Sequence, residues 1–190
     1  VPASRSFVVA MGEELQRRVS PGFVAEPKTT GSIGRINRDV RFSKDKTPYN
    51  THLHFRFWEG ADKKRAPRVA LWLSPEGIGI GVGLMQFDKP ALARFREAVL
   101  DAKAGKELNA AVAAAKKAKA TLGDPHYKKV PKGFDADHPN ADWLRYTHLG
   151  VIFKADTPKV VHSAKLVGWC GDRIEKLAPV HHWLTRHVFS

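Results

Sequence analysis

The segment GIGIGVGL, residues 77–84, puts glycine at every second position: Gly77, Gly79, Gly81 and Gly83. In a helix interior each glycine costs about 1 kcal/mol relative to alanine, so this segment resists helix formation. A period of two belongs to a strand, whose side chains alternate between faces. The strand then has one face of Ile78, Ile80, Val82 and Leu84 and one face with no side chains at all. A bare face admits a helix, an aromatic ring or a ligand at close range. Packing beneath Trp58 or Trp72 is the simplest use of it. The spacing fits neither G-x-G-x-x-G nor the Walker pattern with its Lys-Ser/Thr, so it is no phosphate loop.

The surrounding pattern extends the strand into a sheet. Alternation over IGRINRDVRF puts Ile36, Arg38, Val40 and Phe42 on one side and Arg35, Asn37, Asp39 and Arg41 on the other. SKDKTPYN reads as a proline turn. THLHFRFWE then separates Leu53, Phe55 and Phe57 from His52, His54, Arg56 and Trp58, and RVALWLSP pairs with the glycine strand. Elsewhere the period is helical. Phe7, Met11 and Leu15 make a stripe near the start, extended by Val19, and Asp88 N-caps a helix with Leu92, Phe95 and Val99. An Ala/Lys-rich helix runs to Gly123, and THLGVIFKAD is a further strand. The stretch from Thr157 reads as one or two helices broken near Gly171 and Pro179. Strands early, helices later and short connections specify an α+β fold, an antiparallel sheet covered by helices. Missing βαβ alternation disfavours a doubly wound nucleotide fold. Without repeat or linker, residues 1–190 form a single domain.

Lys and Arg total 32 against 19 Asp and Glu, a net charge of +13. Such an excess concentrates polyanions and phosphorylated or carboxylated molecules near the surface. Cys170 is the only cysteine, which excludes an internal disulfide and a Cys-rich zinc site and suits a reducing cytoplasm. It lies among apolar neighbours and reads as a packed thiol. No apolar run reaches the roughly 20 residues that span a bilayer, and the amphipathic start is not a signal peptide. No membrane partner and no cofactor are expected.

The strongest chemical signal is Arg35–Tyr49. Arg35, Arg38 and Arg41 recur every third residue and Lys44, Lys46 and Tyr49 follow. Guanidinium forks grip phosphate or carboxylate, and lysine adds a point charge. The alternative is an internal ion-pair network with Asp39 and Asp45 that pins two strands and a turn. Arg38 sits on the apolar row, where an unpaired charge would cost several kcal/mol, so its partner is the residue to find.

Three weaker features follow. Asp135, Asp137 and His138 suit general acid–base or metal chemistry, but helix capping by Asp137 or His138, with Pro139 in the first turn, accounts for them without chemistry. His52 and His54 form an H-x-H on one strand face, compatible with two metal ligands, yet no third ligand is near in sequence. G-x-S-x-G, H-E-x-x-H and Cys–His nucleophile patterns are absent.

The block R-x-x-R-D-x-R-F-S-K-D-K-x-P-Y, at Arg35–Tyr49, and P-x-G-F-x-x-D-H-P, at Pro131–Pro139, closely resemble an uncharacterised family of mostly bacterial conserved hypothetical proteins, a domain of unknown function. The resemblance extends loosely over the whole chain. It implies a further helical segment upstream of this chain's start, and it implies no activity.

Three functional classes stand. The first is a binder of an anionic small molecule, with or without catalysis. Arg35, Arg38, Arg41, Lys44 and Lys46 would hold the anion, Tyr49 would line the pocket, and Asp39 or His138 would be available for proton transfer. The second is a nucleic-acid module using the basic surface, with Trp58 and Phe55 as exposed stacking partners. The third is a structural domain in which the block is internal glue.

Overall fold

The computed structural model describes residues 2–37, 41, 42, 44 and 46–189. In chain order the elements are α1 (Pro2–Arg18), β1 (Phe23–Val24), β2 (Leu53–Glu59), β3 (Arg68–Ser74), β4 (Gly77–Leu84), α2 (Lys89–Leu100), α3 (Ala102–Lys117), β5 (Ala120–Leu122), β6 (Leu149–Ala155) and α4 (Lys165–His187). A short 3-10 helix, Ala141–Arg145, precedes β6. The strands form one antiparallel sheet in the order β1-β2-β3-β4-β6-β5, so the fold is α+β as expected.

Register explains which side chains meet. Phe55, Leu71, Ile80 and Phe153 fall in one cross-strand row, and Phe57, Val69, Val82 and Val151 in the next. These rows face the helices. Val8, Met11 and Leu15 of α1, Phe95 and Val99 of α2, Leu108 and Val112 of α3, and Ile174, Leu177 and Leu184 of α4 complete one continuous core. The opposite rows are His54–Trp72–Gly79–Lys154, then Arg56–Ala70–Gly81–Ile152, then Trp58–Arg68–Gly83–Gly150.

The alternating glycines have two separate reasons. Gly77 and Gly83 have φ of 148° and 134°, a region that L side chains rarely adopt. Gly79 is excluded on space, because the indole of Trp72 lies where its Cβ would be. Packing beneath Trp72 is thus the use of the bare face.

Caps define the helical layer. The Asp88 carboxylate accepts from Ala91 N, and Asp101 both ends α2 and caps α3, accepting from Lys103 N and Ala104 N. The expected run to Gly123 is corrected: α3 stops at Lys117, Lys119 adopts φ 65°, and the chain turns back as β5. The C-terminal break is also corrected, since α4 passes through Gly171 and Pro179 as one helix of 23 residues. Pro179 and Glu175 are both exposed, so the carbonyl that loses its donor faces water. Buried Ile174, Leu177, Val180 and Leu184 hold both halves of α4 on the core. Gly171 lets α1 approach, since a Cβ there would lie 2.8 Å from Glu14 Oε1.

The strand expected over residues 33–42 does not form among the described residues. Only single bridges appear, Ile33 to Phe55 and Asn37 to Tyr49. Ile36 is 49% and Phe42 95% exposed, so the supposed core-facing row is solvated there. Arg38, Asp39, Val40 and Asp45 lie outside the described residues.

Candidate functional site

Residues 32–34 run along β2, with Gly34 N donating to His54 O at 2.6 Å and Arg56 N to Ser32 O at 2.9 Å. The chain then leaves the sheet as an excursion closed at its base by Asn50. Its amide nitrogen donates to Ile36 O at 2.7 Å and its side chain to Arg35 O at 3.0 Å. Arg35, Arg41, Lys44, Lys46 and Tyr49 are all exposed on this excursion. The Arg41 guanidinium stands 5.9 Å from the Phe42 ring centroid. Arg38, the residue whose partner mattered most, and Asp39 are outside the described residues.

The excursion returns to the sheet at Leu53, and there a cavity opens. Its volume is about 860 Å³, between the N-terminal halves of α1 and α4 and the core-facing side of β2–β4. Phe7 and Ala10 form one wall, Val167 and Cys170 another, and Phe55 and Ile78 the floor. The Phe7 and Phe55 rings meet at 5.0 Å. Leu53 sits at the rim, 41% exposed. Gly168 also lines the cavity, and a Cβ built on it meets nothing within 4 Å. Polar groups are few. Ser4, Ser6, His162 and Ser163 lie on the wall, and Glu14 is engaged by Arg17 and Arg18 at 2.8 and 2.5 Å. Burial acts to raise Glu14, but these two arginines outweigh it and hold the carboxyl below its ordinary range. Burial pushes the Cys170 thiol up to about 12, so it is neutral and unreactive at neutral pH.

The acidic block near His138 is a turn. Asp135 accepts from Asp137 N at 2.9 Å, and His138 Nδ1 accepts from Asn140 N at 3.1 Å. The expected helix start at Asp137 or His138 is corrected, because the 3-10 helix begins at Ala141 with Asn140 at its cap position. Asn140 is held to α3 by Asn109, which also accepts from Trp143 Nε1. With Nδ1 committed to the backbone, His138 is oriented for the turn and not toward the cavity.

His52 lies before β2 and is exposed, whereas His54 is half-buried on the face away from the helices. Of the H-x-H pair, only His54 thus belongs to the strand. Burial lowers His54 below the usual imidazole range, and Arg56, His52 and Arg68 lower it further. Such cationic surroundings oppose a metal ion. Among the described residues no group of three or more His, Cys, Asp or Glu side chains is placed to hold one.

A second polar cluster lies half-buried between α4 and the sheet, with His181 as its fully buried member. His181 Nε2 bonds Glu59 Oε2 at 2.5 Å, the Ser20 hydroxyl donates to Glu59 Oε1, and Phe23 stacks on His181 at 4.8 Å. This is not a nucleophile triad. The Ser20 hydroxyl faces the Glu59 carboxylate and not the imidazole, which bonds the other carboxylate oxygen, so the serine–histidine contact of such a triad is missing. The cluster ties the α1–β1 connection and the end of β2 to α4.

The outer face of the sheet is where the aromatic expectation changes. Trp58 and Phe55, expected as exposed stacking partners, are both buried, Trp58 with Lys63 4.8 Å over its ring. Trp72 is the half-exposed aromatic of that face, lying over Gly79 and Gly81. Its signal in the sequence was the glycine alternation. The cavity had no such signal, because its walls come from three distant segments of ordinary core-type residues.

The two signature segments thus belong to different parts of the fold, one to the excursion that returns to β2 and one to the turn before the 3-10 helix. The family model of the conserved hypothetical proteins DUF2461 matches residues 3–183. The chain belongs to the DUF2461 family. No curated protein and no solved structure matches the chain. DUF2461 membership covers α1 and all six strands, so cavity, excursion and outer face lie within the family's domain. Among the described residues no helix is long and apolar enough to cross a membrane.

Proposed function

We propose that this DUF2461 domain binds a small molecule with an apolar body and one phosphate or carboxylate group. The body occupies the α1–α4–sheet cavity, and the acidic group is met at the rim by the Arg35–Tyr49 block, with Arg35, Arg38, Arg41, Lys44 and Lys46 as its cations and Tyr49 beside them. The observation that carries this reading is the cavity itself. At about 860 Å³ and lined chiefly by apolar side chains, it falls in the range of small-molecule sites. Its rim residue, Leu53, is joined to Tyr49 by only three residues, Asn50–His52. Magnitudes favour a ligand with both parts. A solvated charge pair at 4 Å is worth about 1 kcal/mol, too little for capture on its own. Each buried methylene contributes about 0.8 kcal/mol, so a chain of several methylenes supplies most of the affinity and the cations supply selectivity. Catalysis is no part of this reading, since His138 is committed to its turn. A reducing cytoplasm remains the proposed setting, on the single cysteine.

Displacement of 1-anilinonaphthalene-8-sulfonate tests it, with decanoate, decyl phosphate and decanol as competitors. The acids should displace the dye, and decanol about tenfold more weakly. Gly168→Leu, which projects a side chain into open space, should remove displacement while leaving the fold intact. Arg35→Ala with Lys44→Ala should erase the preference for the acids. Undiminished binding to folded Gly168→Leu refutes the cavity as the site.

A further inference from the structure

The face of the sheet turned away from the helices bears a second set of features. The indole of Trp72 spans the glycine floor: Cε2, Cζ2 and Nε1 crowd the place of a Cβ on Gly79, and Cζ3 comes 3.5 Å from a Cβ built on Gly81. The ring is thus backed by β4, and Trp72 remains half-exposed. Among the described residues no aromatic ring and no cation stacks on the Trp72 indole. In the same cross-strand row His54 lies on one side of Trp72 and Lys154 beyond Gly79 on the other. Arg56 is diagonal to Trp72, and Arg68 stands farther along β3. The Nε atoms of Arg56 and Arg68 are shielded from solvent and have no hydrogen-bond partner among the described residues. Arg68 is held by one bond, Nη2 to Lys64 O at 2.9 Å. No ion pair to a carboxylate is recorded among the described residues for His54, Arg56, Arg68 or Lys154. Ala70, Gly81 and Gly150 leave the space between these groups open.

We infer that this outer face binds single-stranded nucleic acid, with Trp72 as a base-stacking platform and Arg56, Arg68 and Lys154 on the phosphates. From Trp72 to Arg68 the strand rises about 14 Å, more than one phosphate spans and suited to a few consecutive nucleotides. A flat aromatic beside a cationic track is the arrangement that binds such strands with little sequence preference. The stack accepts any base, and the cations make binding salt-dependent. Trp72 is set firmly, because the floor beneath it has no side chains to displace it. Trp72 also borders the cavity through its place between Leu71 and Leu73 on β3, whereas Arg56, Arg68 and Lys154 take no part in the cavity lining, so their variants test this site separately.

Fluorescence anisotropy tests the inference, with labelled oligouridylate and oligothymidylate of about 12 nucleotides and an abasic phosphodiester strand of equal length. Affinity for the base-bearing strands should fall with salt at a log–log slope of about −2, three phosphate contacts at about 0.7 each. The abasic strand should bind more weakly. Trp72→Ala should weaken binding roughly 5- to 150-fold, the loss of one base–aromatic stack, and Trp72→Phe should restore most of it. Arg56→Gln should reduce the slope by about 0.7. Circular dichroism establishes that each variant is folded. Should Trp72→Ala not fold, Arg56→Gln with Lys154→Glu carries the decision, and binding must fall in that double variant. No binding at 50 mM salt overturns the inference. So does equal affinity for the abasic strand, or unchanged affinity in folded Trp72 and Arg56 variants.

Discussion

Gly79 and Gly81 look equivalent in the sequence, yet the structure separates them sharply. A methyl group at Gly79 would fall inside 3.0 Å of three atoms of the Trp72 ring, a separation real Cβ atoms do not show. At Gly81 the nearest ring atom would be 3.5 Å away, an ordinary contact. Replacing glycine by alanine in a strand otherwise gains about 0.5–1 kcal/mol of backbone entropy. At Gly81 that gain should be realised, giving a neutral or slightly stabilised protein. At Gly79 the indole must leave its floor, and overpacking of this kind costs about 1–3 kcal/mol. For a chain of 190 residues each kcal/mol moves Tm by about 2–4 °C, so Gly79→Ala should melt roughly 2–12 °C lower. Differential scanning calorimetry and urea midpoints measure both variants. The decisive control is Trp72→Ala, in which Gly79→Ala should become neutral, a coupling of about 1–3 kcal/mol across the pair. Equal losses at both glycines, or a Gly79 penalty that persists without Trp72, would refute the assignment.

Burial pushes His181 below the ordinary imidazole range, although its bond to Glu59 opposes this. The unfolded chain thus takes up the proton first, and stability should fall as pH drops through about 6.5. Burial acts to raise Glu59, but the bonds from Ser20 and His181 outweigh it and hold the carboxyl low, so its contribution is also lost on acidification. Urea midpoints from pH 8 to 5 should show the decline, and His181→Gln should flatten its upper part. Asp101 accepts from two backbone donors of α3, and Asp101→Ala should cost about 0.5–2 kcal/mol in a denaturant titration. Cys170 is buried and its thiol raised to about 12, so native protein should resist a thiol reagent such as Ellman's, and urea should release one reactive group.

Most of the architecture was legible because side-chain period reports directly on burial. The Ile78–Leu84 row, the Phe55 and Phe57 row and the Asp88 cap all stand where the pattern put them. Failures occurred where tertiary contacts overrode local signals. Nothing in KKAKATLG punctuates the helix, yet Lys119 turns left-handed so that Ala120–Leu122 can join β6. Pro179 carries a strong break signal, but its solvated position makes the missing donor tolerable within a helix anchored on both sides. Alternation through Ile36 and Phe42 imitated a half-buried strand, although no helix or sheet covers those side chains. Of the candidate site, the cationic block was visible as composition. The cavity beside it was not, because Phe7, Ile78 and Val167 acquire a common purpose only when α1, β4 and α4 converge.

The lengths of the strands carry one more consequence. The sheet is bounded by β1, two residues long, and β5, three residues long, while β2, β3, β4 and β6 between them have seven or eight. A strand of this length would, at a border, present its unpaired N–H and C=O groups to a second chain. Here it is paired with β3 over residues 77–83 and with β6 over residues 78–84. Stubs too short to recruit a neighbour finish the ladder, and residues 32–34 occupy the remaining stretch of β2. The domain thereby keeps its longest strand inside the sheet, and among the described residues only short strands stand at its borders as protection against intermolecular pairing. Lengthening β1 or β5 by a few apolar residues would remove that protection without touching the core.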